Sequence, residues 1–284
     1  MNGAPAVFGR LGDTPERDYR SRLQLFNAFA EPELRAAIAS LQVAPGMRVL
    51  DAGCGTGATL GWLAAAAEPG GLVLGADLSA PHLQAARGQL TPNALLLQTD
   101  LQRPPFAAGS FDLVWSANTV HHLTDPVRGI RTLASLLRPS GRVAIGQSSL
   151  LPDMHFAWDA RLERVTTEAV RAYYRDRYRI SEHALTSVRG VAGLLQAAGL
   201  SNLSVRTYLI ERLAPLDAKT QAWLLEVIFR GTWGERLRPY LETADFAELT
   251  QLCDPRHARF ALHRPDFHLL QSFTLAVGER SRDR

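Results

Sequence analysis

The stretch Val49-Leu-Asp-Ala-Gly-Cys-Gly-Thr-Gly57 constrains this chain more than any other. An apolar run ends in Asp51, and glycines then alternate at 53, 55 and 57 ahead of an amphipathic segment, Ala58 to Ala67. That order predicts a glycine-rich turn between a strand and a helix. Glycine there allows positive φ and lets the backbone approach a ligand without a Cβ in the way. Gly53, Gly55 and Ala58 also satisfy the G-x-G-x-x-G/A dinucleotide fingerprint, so the spacing alone leaves the ligand open. Charge separates the readings. A pyrophosphate favours the positive end of the helix and is repelled by a carboxylate at the mouth of the turn. A ligand that is cationic and carries no phosphate, such as S-adenosylmethionine with its ammonium and sulfonium, makes Asp51 an asset. Asp51 as a cap on the turn's backbone N–H groups remains an alternative.

The following 90 residues repeat the strand-then-acid pattern. Gly71 to Asp77 is a second apolar strand ending in a carboxylate, with Ser79 and Pro81 opening a helix as N-cap and first-turn residue. Asp77 lies 24 residues after Gly53, close to the spacing of an acid that takes ribose hydroxyls. A third strand, Ala94 to Thr99, runs into Asp100-Leu101, an acid for an adenine amine beside an apolar wall. A fourth, Phe111 to Ala117, leads into Asn118-Thr-Val-His-His-Leu, and a fifth, Gly141 to Gln147, follows a break at 137 to 141. Strands alternating with helical segments imply a parallel sheet with right-handed crossovers.

With DAGCGTG at 51–57, Asp77, Asp100-Leu101, FDLVWSANTVHHL at 111–123 and LLRPSGRVAI at 136–145, the chain resembles the class I S-adenosylmethionine-dependent methyltransferases. It is most similar to their small-molecule branch, which includes ubiquinone and menaquinone biosynthesis enzymes. The resemblance covers about residues 45–147. It implies an α/β, Rossmann-like, mostly parallel sheet of seven strands with helices on both faces, the last strand antiparallel. It further implies that Gly53, Gly55 and Gly57, with Asp51, Cys54 and Thr56 in the same turn, line the methionine half of the cofactor. Asp77 with Leu78 would hold the ribose, Asp100 with Leu101 the adenine, and Asn118 the methionine moiety or the acceptor.

The rest of the chain fits this plan in pieces. Residues 1–44 read as an N-terminal helical segment, in which Tyr19 and Arg22 are placed to reach the cofactor carboxylate, and 45–147 as the cofactor-binding core. Residues 148–186 read as a helical lid insertion, 187–210 as a core helix closed by Gly199 and strand six, and 211–266 as a second helical insertion. Residues 267–284 carry the final strand and tail, with Phe267 to Val277 as strand seven. Trp158, Leu162, Val165, Ala169 and Tyr173 recur at helical spacing, as do Trp223, Leu224, Val227, Ile228 and Leu237. Both insertions leave carboxyl ends of strands, the edge where open α/β sheets bind ligands. The stripes are helix packing in one reading; in the other they roof an apolar acceptor pocket, with Tyr19, Trp158 and Tyr173 touching substrate.

Composition bounds the alternatives. No run of 18 apolar residues exists, which argues against a membrane span, and the N-terminus lacks the pattern of a signal peptide. Two cysteines far apart, Cys54 and Cys253, fit a cytoplasmic setting without a disulfide. The net charge is only +3, and Lys219 is the sole lysine among 31 basic residues. The stretch Arg171 to Arg179 interleaves arginine with tyrosine, as single-stranded nucleic acid would want, but no wider basic stripe accompanies it, and a solvated helix end is the preferred reading. It keeps an RNA or protein methyltransferase as an alternative. An NAD-dependent oxidoreductase is disfavoured by the lack of a Tyr-x-x-x-Lys base, and a non-catalytic relative by the intact motifs. Cys253, His257, His263 and His268 could approximate a zinc set, but Pro255 interrupts it and no metal is expected.

The expected reaction is in-line displacement of a sulfonium methyl onto a small-molecule oxygen, nitrogen or carbon, for which positioning alone can supply about 7–11 kcal/mol. His121 and His122, just past strand four, are the candidate general bases, with loop-fixing hydrogen bonds the competing role. The sequence says nothing of oligomeric state.

Overall fold

The computed structural model describes residue 11 and residues 13–148, 159–179 and 190–281. Seven strands form one sheet in the order β3-β2-β1-β4-β5-β7-β6. They are β1 Arg48–Ala52, β2 Leu72–Asp77, β3 Ala94–Gln98, β4 Phe111–Ala117, β5 Leu137–Ser148, β6 Ser201–Leu213 and β7 His268–Glu279. The pairs among β1 to β5 are parallel, whereas β7 runs antiparallel to both its neighbours, β5 and β6. This is the expected topology, reached with longer outer strands than the sequence suggests. β5 starts at Leu137, because the Leu-Arg-Pro-Ser-Gly segment read as a break continues the strand through an irregularity, with Ser140 at φ 65°.

The central strands are buried on both faces, which is why they read as unbroken apolar runs. Val49, Val73, Leu113, Trp115 and Phe273 face one core; Leu50, Ala76, Val114, Val143 and Ile145 face the other. Helices α1 Arg20–Phe29, α2 Glu31–Ser40 and α3 Ala58–Ala67 cover the first core. Helices α5 Pro126–Ser135 and α7 Val191–Ala197 cover the second, and α4 Ala80–Ala86 follows β2. Local chemistry sets the helix ends as the sequence implies. Ser79 Oγ accepts from His82 N at 3.3 Å and Asp125 accepts from Arg128 N at 3.0 Å as N-caps, and Gly199 stops α7 at φ +91°.

Each insertion contains helices among its described residues. The first contains α6, Ala160–Tyr178, which buries Leu162, Thr166, Ala169 and Val170; Trp158 lies outside the described residues. The second contains α8 Ala218–Ala222, a π-helix Trp223–Trp233, and α9 Thr243–Cys253. The expected stripe of Trp223, Leu224, Val227 and Ile228 is buried, but π winding adds partners five residues on, Phe229, Thr232 and Trp233. Thr232 Oγ accordingly donates to Val227 O at 3.0 Å. The insertion locks onto α1: Trp223 stacks on Phe29 with centroids 5.5 Å apart and meets Phe26 edge-on at 5.2 Å. Arg212 of β6 pairs through both nitrogens with Glu33 of α2 at 2.9 Å, fixing the sheet edge to the same helices. No helix among the described residues is long and apolar enough to cross a membrane.

Candidate active site at the carboxyl edge of the sheet

The turn after β1 has the conformation that its glycines allow. Gly53, Gly55 and Gly57 have φ of +84°, +52° and +81°. Gly53 N and Cys54 N donate to Ala76 O at 2.7 and 3.1 Å, tying the turn to β2. The turn is also pressed against the loop after β4, since a Cβ on Gly53 would lie 2.1 Å from Thr119 Oγ. A Cβ on Gly55 would meet only the tip of Leu23 at 3.0 Å. Cys54 and Thr56 are buried, so each offers the site its backbone, and burial pushes the Cys54 thiol well up.

The strand-end acids divide their tasks. Asp51 is turned inward, 1% exposed, with Oδ2 accepting from Thr59 Oγ at 2.7 Å. Burial, with Asp77 adding repulsion, raises its pKa to about 7, against the hydrogen bond from Thr59. In this placement its carboxyl serves the turn through Thr59 and acts on the Cys54 thiol through charge. Asp77 takes the outward position: Oδ2 accepts from Gly55 N and Oδ1 from Ser79 N, both at 2.9 Å, while Leu78 stands half-buried beside it. Asp100 sits past β3, its Oδ1 accepting from Gln102 N at 2.9 Å, and Leu101 is buried in the second core. Asn118, at φ 50°, turns its amide towards β5, where Oδ1 accepts from Ser148 N at 2.7 Å and Ser148 Oγ at 2.8 Å.

The two histidines pack together, ring centroids 4.2 Å apart, yet have different partners. His121 Nδ1 lies 3.2 Å from Gln147 Oε1. Gln147 Nε2 donates to Asn118 Oδ1 and Ser148 O, so its amide oxygen is left to accept from His121. Desolvation, then the neighbouring His122, push the His121 pKa well down and keep it neutral. His122 Nδ1 lies 2.9 Å from Asp13 Oδ1, a residue 109 positions away that no motif singles out. Asp13 is held in turn by Arg17 at 2.7 Å.

Residues 13–19 therefore form a strap across the edge. Ala80 N donates to Pro15 O at 2.8 Å and Ser79 Oγ to Arg17 O at 2.6 Å. Tyr19 caps the strap, edge-on to His82 at 4.3 Å and parallel to His122 at 6.3 Å, and burial raises its phenol. Arg22, on the next turn of α1, donates to Thr232 of the π-helix at 3.3 Å. Tyr19 thus joins the histidines, whereas Tyr173 does not: it packs edge-on against Tyr174 and Tyr240 at 5.7 and 6.3 Å, between the two insertions. Sequence reasoning missed Asp13, His82 and Gln147. Gln147 is legible as the polar residue that closes the strand read at 141–147; Asp13 offers only its four-residue spacing to Arg17.

The residues fit the cofactor that the motifs imply. Asp77 and Asp100 at the ends of β2 and β3 offer acceptors to ribose hydroxyls and an adenine amine and oppose a pyrophosphate, and the glycine turn offers backbone free of Cβ atoms. A family profile described as a methyltransferase domain matches residues 50–145. Nocamycin O-methyltransferase of Saccharothrix syringae is 28% identical over 229 residues, spanning 76% of this chain and 79% of that protein. Malonyl-[acyl-carrier protein] O-methyltransferase of Enterobacter lignolyticus is 32% identical over 202 residues, spanning 70% and 71%. The phosphoethanolamine N-methyltransferase 2 of Haemonchus contortus, solved in complex with S-adenosyl-L-methionine, shares the fold at TM-score 0.51 and 18% identity, over 92% of this chain and 57% of that one. The chain belongs to the class I S-adenosylmethionine-dependent methyltransferases, and S-adenosylmethionine is its cofactor.

Proposed function

We propose that the protein methylates an oxygen of a small-molecule acceptor, with the glycine turn, Asp77 and Asp100 holding the cofactor and the histidine pair facing the acceptor. The cofactor supplies an electrophilic methyl on a sulfonium. The chain's own residues align the acceptor, exclude water and take up a proton. One observation supports this reading: the loop that bears His121 and His122 packs directly on the glycine turn through Thr119 and Gly53, so a cofactor held by that turn would bring its methyl group towards this loop. The relatives named above as O-methyltransferases support an oxygen acceptor. The helices of residues 160–178 and 218–253 form the cap over the acceptor, anchored on α1 by Trp223. Two free cysteines accord with a cytoplasmic setting. A macromolecular acceptor gains little from Arg171 to Arg179, because Tyr173 is engaged with Tyr240.

Calorimetric titration with S-adenosylmethionine, S-adenosylhomocysteine and NAD tests the cofactor site. Labelled-methyl transfer to phenols, enols and carboxylic acids then tests the acceptor. Micromolar binding of the first two ligands, no binding of NAD and transfer to a small hydroxyl compound are expected. Cofactor binding with transfer only to RNA or protein would replace the acceptor assignment.

A further inference from the structure

The two histidines differ in what holds them, and that difference assigns the base. We propose that Asp13, reaching in from the N-terminal strap, forms a dyad with His122 that makes His122 the proton acceptor for a hydroxyl substrate. The inference rests on the methyl-transfer reading above and specifies its acceptor.

Asp13 lies outside the matched methyltransferase domain, residues 50–145, yet its Oδ1 is 2.9 Å from His122 Nδ1. It is 9% exposed, and Arg17 NH1 sits 2.7 Å from the same oxygen. Arg17 NH1 also donates to Leu11 O at 2.6 Å, which pins the strap in place. Burial works against ionisation of Asp13, but the hydrogen bond from His122 and the charges of His122 and Arg17 outweigh it and hold its carboxyl below the usual range. An ionised carboxylate can only accept, so Nδ1 of His122 carries the hydrogen, and it is Nε2 that bears the lone pair in the neutral form a base requires. The same carboxylate stabilises the imidazolium that forms when Nε2 takes a proton. His121 has the same tautomer but a neutral amide, Gln147, behind it; Asp13 reaches it through charge alone, without a hydrogen bond, and burial outweighs that charge.

The chemistry this serves has a defined balance. The acceptor O–H gives its proton to Nε2 of His122. Its oxygen forms the new bond to the methyl carbon while the carbon–sulfur bond breaks, leaving its electron pair on sulfur and a neutral thioether. The imidazolium later returns its proton to water. A carboxylate acceptor is already ionised near neutral pH and has no proton to lose. The dyad therefore points to a hydroxyl that is un-ionised at neutral pH and to a methyl ether product.

Side-chain nitrogen NMR of the histidines in the protein alone is the first test. His122 is expected as the Nδ1–H tautomer in the wild type and as the Nε2–H form, which free imidazole prefers, in Asp13→Ala. His121 should not change and serves as the internal control. An Nε2–H His122 in the wild type, or an unchanged tautomer in Asp13→Ala, overturns the dyad whether or not an acceptor has been found. With a methylated product in hand, Asp13→Ala should lower kcat at least about tenfold with little change in KM for S-adenosylmethionine, and Asp13→Glu should regain part of the loss. Unchanged kcat in Asp13→Ala or in His122→Ala overturns the dyad while leaving the methyltransferase reading intact. A methyl ester as product overturns the hydroxyl class. Failure of the wild type to bind S-adenosylmethionine would instead count against the cofactor-site reading, with the tautomer result standing apart.

Discussion

The carboxyl edge of the sheet, where we propose that the cofactor binds, and the helical cap proposed to cover it are built by different rules. At the edge, each functional group is delivered by the end of a strand: Asp51, Asp77, Asp100, Asn118 and Gln147 all follow or close one. Backbone geometry does most of the positioning there, as when Gly55 N and Ser79 N hold both oxygens of Asp77. In the cap, position comes from side-chain packing between segments distant in sequence, such as Trp223 between Phe26 and Phe29. Strand ends inherit their precision from the sheet ladder, whereas a cap retains its place only while its apolar anchors remain.

The largest expected effect is therefore on the cap anchor. Trp223 is 2% exposed and stacked, and Trp223→Ala should cost about 3–5 kcal/mol of stability. Denaturant unfolding reads the loss, and cofactor affinity measured below the transition should change far less. A parallel collapse of cofactor affinity would show that cap and edge are one unit.

Next comes a pH-dependent effect at the edge. The folded pKa of Asp51, about 7, lies above its unfolded value near 3.8, so its contribution is fully present below pH 3.8 and fades as pH rises through 7. Asp51→Asn escapes that loss. Its stability relative to the wild type should improve from pH 4 upwards and level off above pH 7, by up to about 4 kcal/mol. Unfolding curves at pH 5 and 8.5 measure the difference; the same value at both would mean that Asp51 is not held protonated.

Asp77→Ala should loosen the turn, which loses the acceptor of Gly55 N and Ser79 N, and weaken ligand binding, so affinity is read on protein shown to be folded. A hydrogen bond to a charged group is worth about 1.5–3 kcal/mol, so affinity for S-adenosylhomocysteine should fall about 10- to 150-fold. Unchanged affinity in calorimetry would remove Asp77 from the ribose site.

These regions also differed in how legible they were. The edge is written locally: an apolar run, an acid and a glycine turn are contiguous, so order and spacing expose the strands, the loop and Asp77 from sequence. The cap is not. An amphipathic stripe at residues 223–228 looks alike in an α-helix and in the π-helix that forms, because the five-residue repeat emerges only when Phe229, Thr232 and Trp233 are seen buried. Tyr173 shows the same limit, since its helix was readable but the choice between Tyr240 and the acceptor was a tertiary matter. Asp13 is the extreme case: its partner is 109 residues away, and an aspartate before a helix has many ordinary uses. Asp51 reads as a functional acid from sequence, yet its inward turn depends on Thr59, the second residue of α3, which the glycine motif does not mention.

The smallest effect tests the histidine pair itself, where edge and cap meet. His121 belongs to the edge, bonded through Gln147 to Asn118, whereas His122 answers to the strap through Asp13. If His121 only orients the loop, His121→Leu should cost about 1–3 kcal/mol of stability, because Gln147 Oε1 loses its donor. The remaining folded protein should turn over within about tenfold of the wild type, well short of the about 10²–10⁴-fold that removal of a general base produces. Asn at the same position can offer Gln147 an N–H and should recover most of the stability. A loss of turnover in His121→Leu as deep as that in His122→Ala, with folding intact, would mean that the pair shares the proton and that the division between edge and strap does not extend to the chemistry.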